Sequence, residues 1–97
     1  MKVWLDGQLL PLDQAGVSPL AHGLHYGTGV FEGLRSYATP EGPAIFRLKD
    51  HLVRMAKGCA ALALPFDAEV AERACLAVLE ANELQDAYLR PLAFFET

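Results

Sequence analysis

Apolar and polar positions along this chain follow two different periods, and the switches between them mark its elements. Val3-Trp4-Leu5 and Gln8-Leu9-Leu10 are short apolar runs separated by Asp6-Gly7, a pair suited to the two positive-φ positions of a tight hairpin. Pro11 to Gly16 has no periodicity and reads as loop. Ser18-Pro19 resembles a helix N-cap followed by proline at the first helical position. A short helical turn carrying Leu20, His22, Leu24 and His25 is expected to run from there until Gly27 ends it. From Val30 to Tyr37 the pattern has a period of two, the mark of an extended strand. One face then carries Phe31, Gly33, Arg35 and Tyr37, and the other Glu32, Leu34 and Ser36. Thr39 to Pro43 is turn chemistry, and Ala44-Ile45-Phe46 resumes as a strand, which predicts a second hairpin.

A helical period follows. Leu48, Leu52, Met55, Cys59 and Leu62 are spaced 4, 3, 4 and 3, which predicts a core-facing stripe on a helix over about 47–62. Beside it run Arg47, His51, Arg54 and Gly58, spaced 4, 3 and 4. Pro65 closes this element. Asp67 can cap a second helix over 67–82, with Glu69 and Glu72 near its positive N-terminal end and Asn82 as its stop. Its apolar side is expected to carry Val70, Ala71, Ala74, Ala77, Val78 and Ala81, with Cys75 on the flank as a packing residue. Ala87 to Phe95 reads as a strand with Tyr88, Arg90, Leu92 and Phe94 on one face. Pro91 cannot donate to a ladder, so the strand is expected to lie at an edge or to be interrupted there. Together these patterns predict an α+β domain: a mainly antiparallel sheet with two helices packed on one face.

Composition narrows the class. The chain has 97 residues, one domain at most, and 53% of them are apolar. That share is high for a small domain, and it suggests a face that expects a partner. A formal charge of −4 argues against nucleic acid or an acidic membrane surface as a partner. No apolar run approaches the ~20 residues of a membrane-spanning helix. The opening residues do not form a signal peptide, and nothing around the two cysteines asks for a disulfide, so a reducing cytoplasmic setting is the simplest expectation.

Two constellations could carry chemistry. In the first, Gly33 allows close approach to the strand face and Arg35 can grip a carboxylate or phosphate in a two-pronged way, with Phe31 as an apolar neighbour. The alternative is a glycine-marked core strand whose arginine only reaches solvent. In the second, the Arg47–His51–Arg54–Gly58 stripe can clamp a phosphate or can simply be a solvated basic flank. Arg90, set among apolar residues, should find a carboxylate from the protein or from a ligand. His22 and His25 share one side of a turn, but no further ligand lies at metal spacing, and hydrogen-bonded structural histidines are expected.

The segment His22-Gly-Leu-His-Tyr-Gly-Thr-Gly-Val-Phe-Glu-Gly-Leu-Arg35 resembles the N-terminal signature of the branched-chain amino-acid aminotransferases, pyridoxal-phosphate enzymes of fold type IV. The resemblance extends from Trp4-Leu-Asp-Gly7 through the segment from Gly42 to Met55 to Ala87-Tyr-Leu-Arg-Pro-Leu92. It implies that residues 1–97 form the N-terminal small domain of a two-domain enzyme roughly three times as long. The C-terminal cofactor-binding domain, with the lysine that carries the cofactor, then lies outside this chain, since Lys2, Lys49 and Lys57 do not match it. The resemblance also implies roles for individual residues. Arg54 matches the arginine that contacts the cofactor phosphate. Tyr88 matches a ligand of the substrate α-carboxylate, and Arg90 a ligand of the side-chain carboxylate of glutamate. Tyr26 and Phe31 would line the apolar pocket, with Gly33 and Arg35 beside them. The counterpart of Tyr26 reaches a neighbouring subunit's active site, so a dimer or higher homo-oligomer is implied. The substrates implied are branched-chain L-amino acids and 2-oxoglutarate. Related D-amino-acid aminotransferases and aminodeoxychorismate lyases share the glycine-rich start, and a stand-alone binding or assembly module is the non-enzymatic alternative. No activity is expected of residues 1–97 by themselves.

Overall fold

The structure, a computed structural model, describes residues 1–96. The first hairpin pairs β1 (Lys2–Leu5) with β2 (Gln8–Pro11) through Asp6 and Gly7, both at positive φ, as the Asp-Gly pair predicts. A 3₁₀ turn at Leu12–Gln14 follows. The short helix α1 (His22–Tyr26) begins later than the Ser18-Pro19 signal suggests. Ser18 closes a local turn instead: its side-chain oxygen accepts from Leu20 N–H and its carbonyl from Ala21 N–H. The first N–H groups of α1 are bonded by the chain after the last strand, His22 to the Glu96 carbonyl and Gly23 to that of Phe95. Gly23 is needed for this approach, because a Cβ there would stand 2.9 Å from that of Phe94. Gly27 ends α1 in the left-handed conformation at φ 67°.

The expected single strand over Val30–Tyr37 is two: β3 (Gly29–Phe31) and β4 (Leu34–Thr39). The interruption is matched on the other side of the ribbon, where β6 (Ala87–Leu89) and β7 (Leu92–Phe94) flank Arg90 and Pro91. Phe31 faces Leu92 and Leu34 faces Leu89, so the register carries through the break unchanged. Glu32 N–H still bonds the Pro91 carbonyl, but Pro91 has no N–H to return the bond. The ladder therefore lapses for want of one donor. Strand alternation persists across the lapse: Glu32, Leu34 and Ser36 are buried, whereas Phe31, Arg35 and Tyr37 are exposed.

β5 (Gly42–Ile45) completes the second hairpin with β4, giving a three-stranded sheet in the order β5-β4-β6. All strand pairs are antiparallel, divided among three small sheets instead of one. The helices α2 (Leu48–Ala61) and α3 (Ala68–Ala81) pack on one another, α2 also on β3 and α3 on β1. Leu34 and Leu89 from the ribbon meet Cys75 and Leu79 of α3, with Ile45, Leu48 and Ala87 at the margin. Leu52, Met55 and Cys59 of α2 are buried as their spacing predicts. In α3 the most buried positions are Cys75 and Leu79, so the inward face is rotated away from the small-residue stripe. Asp67 caps α3 through bonds from Glu69 and Val70 N–H. Both helices end in six-to-one turns, Leu64 N–H to Cys59 carbonyl and Leu84 N–H to Leu79 carbonyl, with Ala63 and Glu83 left-handed. The Asn82 side chain joins the end of α3 to both backbone groups of Lys2. No helix among the described residues is long and apolar enough to cross a membrane.

Candidate functional site

The outer face of the ribbon gathers five of the residues singled out from the sequence. Antiparallel register places Arg35 opposite Tyr88. The Arg35 guanidinium lies 5.7 Å from the centre of the Tyr88 ring. Arg90 leaves the strand at the break and covers the Phe31 ring at 4.4 Å, with the Tyr88 ring at 5.4 Å. Its Nη2 donates to the Tyr88 hydroxyl at 2.7 Å. Gly33 lies beneath the Tyr88 side chain, because any Cβ there would run into the Tyr88 hydroxyl and stand 3.1 Å from Cζ. Phe31, Tyr88 and neighbouring Leu92 all expose more than half their surface. Two guanidinium groups, an aromatic floor and a phenolic hydroxyl thus share one open face. Among the described residues no carboxylate pairs with Arg35 or Arg90. The carboxylate expected for Arg90 is therefore not provided by the described residues, which leaves both cations available to an anionic ligand.

The second constellation forms on the opposite side of the same ribbon segment. Glu32, only 5% exposed, accepts from Arg54 Nε at 2.7 Å and Arg54 Nη2 at 2.8 Å, one to each oxygen. His51 Nδ1 completes the group at 2.7 Å from Glu32 Oε1. Arg54's hydrogen bonds hold the Glu32 carboxyl below the ordinary glutamate range; burial pushes the other way, and His51 adds to the lowering. The carboxylate form only accepts, so Nδ1 is the protonated nitrogen of His51. Arg54 itself is 71% exposed at its side chain. Two of its five N–H donors are engaged, and the outer edge is free. With Arg47, Asp50 and His51 it lines a concavity of about 260 Å³.

One expectation changes here. Arg47 is not on the helical stripe: it is the N-cap of α2, left-handed at φ 53°, and its Nε bonds Asp50 at 2.8 Å. Gly58 makes room for the Val30 side chain of β3, since a Cβ there would meet Val30 Cγ1 at 2.9 Å. Glu32 is a residue of this group that the motif spacing does not single out. The available signal was a carboxylate sharing a strand face with Leu34, which must be paired if that face is buried.

Tyr26 stands apart from both groups. Its ring stacks on His22 with centres 4.5 Å apart and is 73% exposed. The histidines are structural, as expected: His22 Nδ1 lies 2.7 Å from the Thr28 hydroxyl and His25 Nε2 2.6 Å from the Pro19 carbonyl. Burial pushes both cysteine thiols up, and Glu72 adds to this at Cys75, consistent with packing roles.

Residues 29–97 match the family model Amino-transferase class IV. The chain belongs to this family. The class IV chain is 40% identical over 95 residues to the branched-chain-amino-acid aminotransferase of Pseudomonas aeruginosa, covering 96% of this chain and 31% of that protein. Among solved structures, it superposes with a TM-score of 0.90 on the T.th. branched-chain amino acid aminotransferase complexed with N-(5'-phosphopyridoxyl)-L-glutamate. The identity there is 44%, over 96% of this chain and 32% of that one. The Escherichia coli branched-chain amino acid aminotransferase gives a TM-score of 0.92 at 35% identity, over 98% of this chain and 32% of that one. The class IV chain thus spans about a third of the length of the relatives it matches.

Proposed function

We propose that this chain is the N-terminal small domain of a pyridoxal-phosphate aminotransferase that moves the amino group between branched-chain L-amino acids and 2-oxoglutarate. The observation that carries this reading is the open face of Phe31, Arg35, Tyr88 and Arg90, with its unpaired cations on an aromatic floor. Such a face suits the physical problem of the reaction. One pocket must accept an apolar side chain and then the charged one of glutamate. Phe31 offers the apolar wall. Arg90 and Arg35 offer charge at its rim, and the Tyr88 hydroxyl can donate to a carboxylate. Tyr26 would contribute to the wall of a second subunit's pocket, which makes the working form a homodimer or larger.

The cofactor phosphate fits the free edge of Arg54, a planar pair of donors at a concavity lined by a second arginine. When bound, the cofactor supplies the electron sink that transamination needs. The lysine that carries it would belong to a C-terminal domain, since Lys2, Lys49 and Lys57 are all exposed and none lines the concavity. A cytoplasmic enzyme of amino-acid metabolism is the setting this implies.

The test uses the complete protein. Purified with pyridoxal phosphate, it should convert L-leucine and 2-oxoglutarate to the corresponding oxo acid and glutamate, and borohydride should fix the cofactor on one lysine beyond residue 97. Turnover of D-alanine in place of L-leucine would assign the protein to the D-amino-acid enzymes. Absence of any lysine adduct would favour a non-catalytic assembly module.

A further inference from the structure

The fork of Arg54 has two usable edges, and the structure engages only one of them. Nε and Nη2 are held by Glu32, which leaves Nη1 and the remaining N–H of Nη2 as the outer edge. We infer that Glu32 and His51 are positioning residues for Arg54: they fix its inner edge against the buried face of the ribbon and so aim its outer edge into the concavity.

The inference rests on the proposed cofactor reading and extends it to Glu32, which does not line the concavity, and to His51 as the residue that steadies Glu32. An arginine on an exposed helix flank loses much side-chain freedom when it is ordered by a ligand. At Arg54 that ordering is already done by Glu32, a carboxylate that is buried at the break between β3 and β4 and held there by its own backbone N–H bond to the Pro91 carbonyl. His51, one helical turn before Arg54 on α2, donates to the same Glu32 oxygen that receives Nη2. Its bond restrains the carboxylate from rotating away. Preorganised donors bind an anion more tightly than mobile ones, since their ordering cost is met on folding.

Electrostatics alone predicts the reverse sign. Glu32 is an anion beside the cation meant to bind a phosphate, so deleting its charge should tighten phosphate binding if only Coulomb interaction mattered. Positioning predicts that deletion weakens it. The sign therefore decides between them.

The experiment measures dissociation constants of pyridoxal phosphate and of pyridoxal, which lacks the phosphate, on the apo form of the complete enzyme. Glu32→Gln is expected to weaken pyridoxal phosphate about tenfold and leave pyridoxal unchanged. In an Arg54→Ala background the same substitution should add no further loss, because its effect acts through Arg54. His51→Gln should weaken pyridoxal phosphate by a smaller factor with the same pattern, and it serves if Glu32→Gln does not fold. Tighter or unchanged pyridoxal phosphate binding in these variants overturns the inference. So does an equal loss for pyridoxal, or a loss that persists without Arg54; either marks a purely structural role. A parent enzyme that binds pyridoxal phosphate no better than pyridoxal overturns the cofactor reading itself, and this inference with it.

Discussion

Gly33 and Glu32 are neighbours in the break between β3 and β4, and each is constrained on a different face. At Gly33 the constraint is contact with Tyr88, not backbone conformation, because only the space is closed. Tyr88 is half exposed, so its ring can swing outward to admit a methyl group. Gly33→Ala is therefore expected to change stability by no more than about 0.5 kcal/mol, in the range of surface substitutions. The displaced hydroxyl, however, leaves Arg90; water replaces that exposed bond, but the two groups are no longer placed together toward a carboxylate. In the complete enzyme KM for glutamate should rise about tenfold; thermal unfolding and steady-state kinetics on the same preparation would separate the two effects. At Glu32 the constraint is charge. Its folded pKa lies below the ordinary range, chiefly through Arg54. The group therefore adds stability at pH values above its unfolded pKa, and this is lost as pH falls through the lowered folded value. Glu32→Gln should abolish that acid-limb contribution, so the stability read by urea unfolding should fall less steeply in the variant than in the parent as pH is lowered below the ordinary glutamate value of 4.5. An identical slope would show that the ion pair does not couple to folding.

At the scale of elements, local sequence determines the parts whose partners are close along the chain. The Asp6-Gly7 hairpin, the spans of α2 and α3, the Asp67 cap and the alternation of Glu32, Leu34 and Ser36 all follow from neighbours in sequence. The departures each depend on a distant partner. The lapse between β3 and β4 is dictated by Pro91 across the ribbon, and the late start of α1 by carbonyls at Phe95 and Glu96. The candidate site divides in the same way. The row of Phe31, Gly33 and Arg35 follows from period two. Its meeting with Tyr88 and Arg90 requires the register, and the pairing of Glu32 with Arg54 requires the docking of α2 on β3. Gly58 controls that docking. Alanine is the better helix former by about 1 kcal/mol, whereas overpacking typically costs about 1–3 kcal/mol. Val30 is β-branched and held in a strand, so it yields poorly to a methyl group. Gly58→Ala should therefore destabilise the fold by about 1 kcal/mol despite the propensity gain, as a lowered denaturation midpoint. A raised midpoint would mean that α2 shifts on β3 at little cost.

For the whole molecule the decisive question is whether residues 1–97 contain everything the chemistry requires. Pyridoxal-phosphate catalysis holds its cofactor on a lysine whose amine is activated by desolvation or by a neighbouring cation. Lys2 begins β1, while Lys49 and Lys57 lie on α2, and all three are exposed. None touches the Tyr88–Arg90 face or lines the concavity at Arg54. Burial therefore activates none of these amines, and their reaction with an aldehyde is expected to be weak and unselective. The face proposed to bind substrate, by contrast, is already assembled, with Phe31 and Leu92 exposing more than half their surface. The proposed recognition elements are thus not accompanied by a lysine placed beside them. Residues 1–97 alone, incubated with pyridoxal phosphate and reduced with borohydride, are expected to give scattered substoichiometric labelling over the three lysines and no exchange of amino groups between leucine and 2-oxoglutarate. Peptide mass spectrometry reads the first outcome and coupled oxo-acid detection the second. One lysine labelled to completion, with turnover that its replacement by alanine abolishes, would show that this chain is a complete catalyst and that the two-domain reading is wrong.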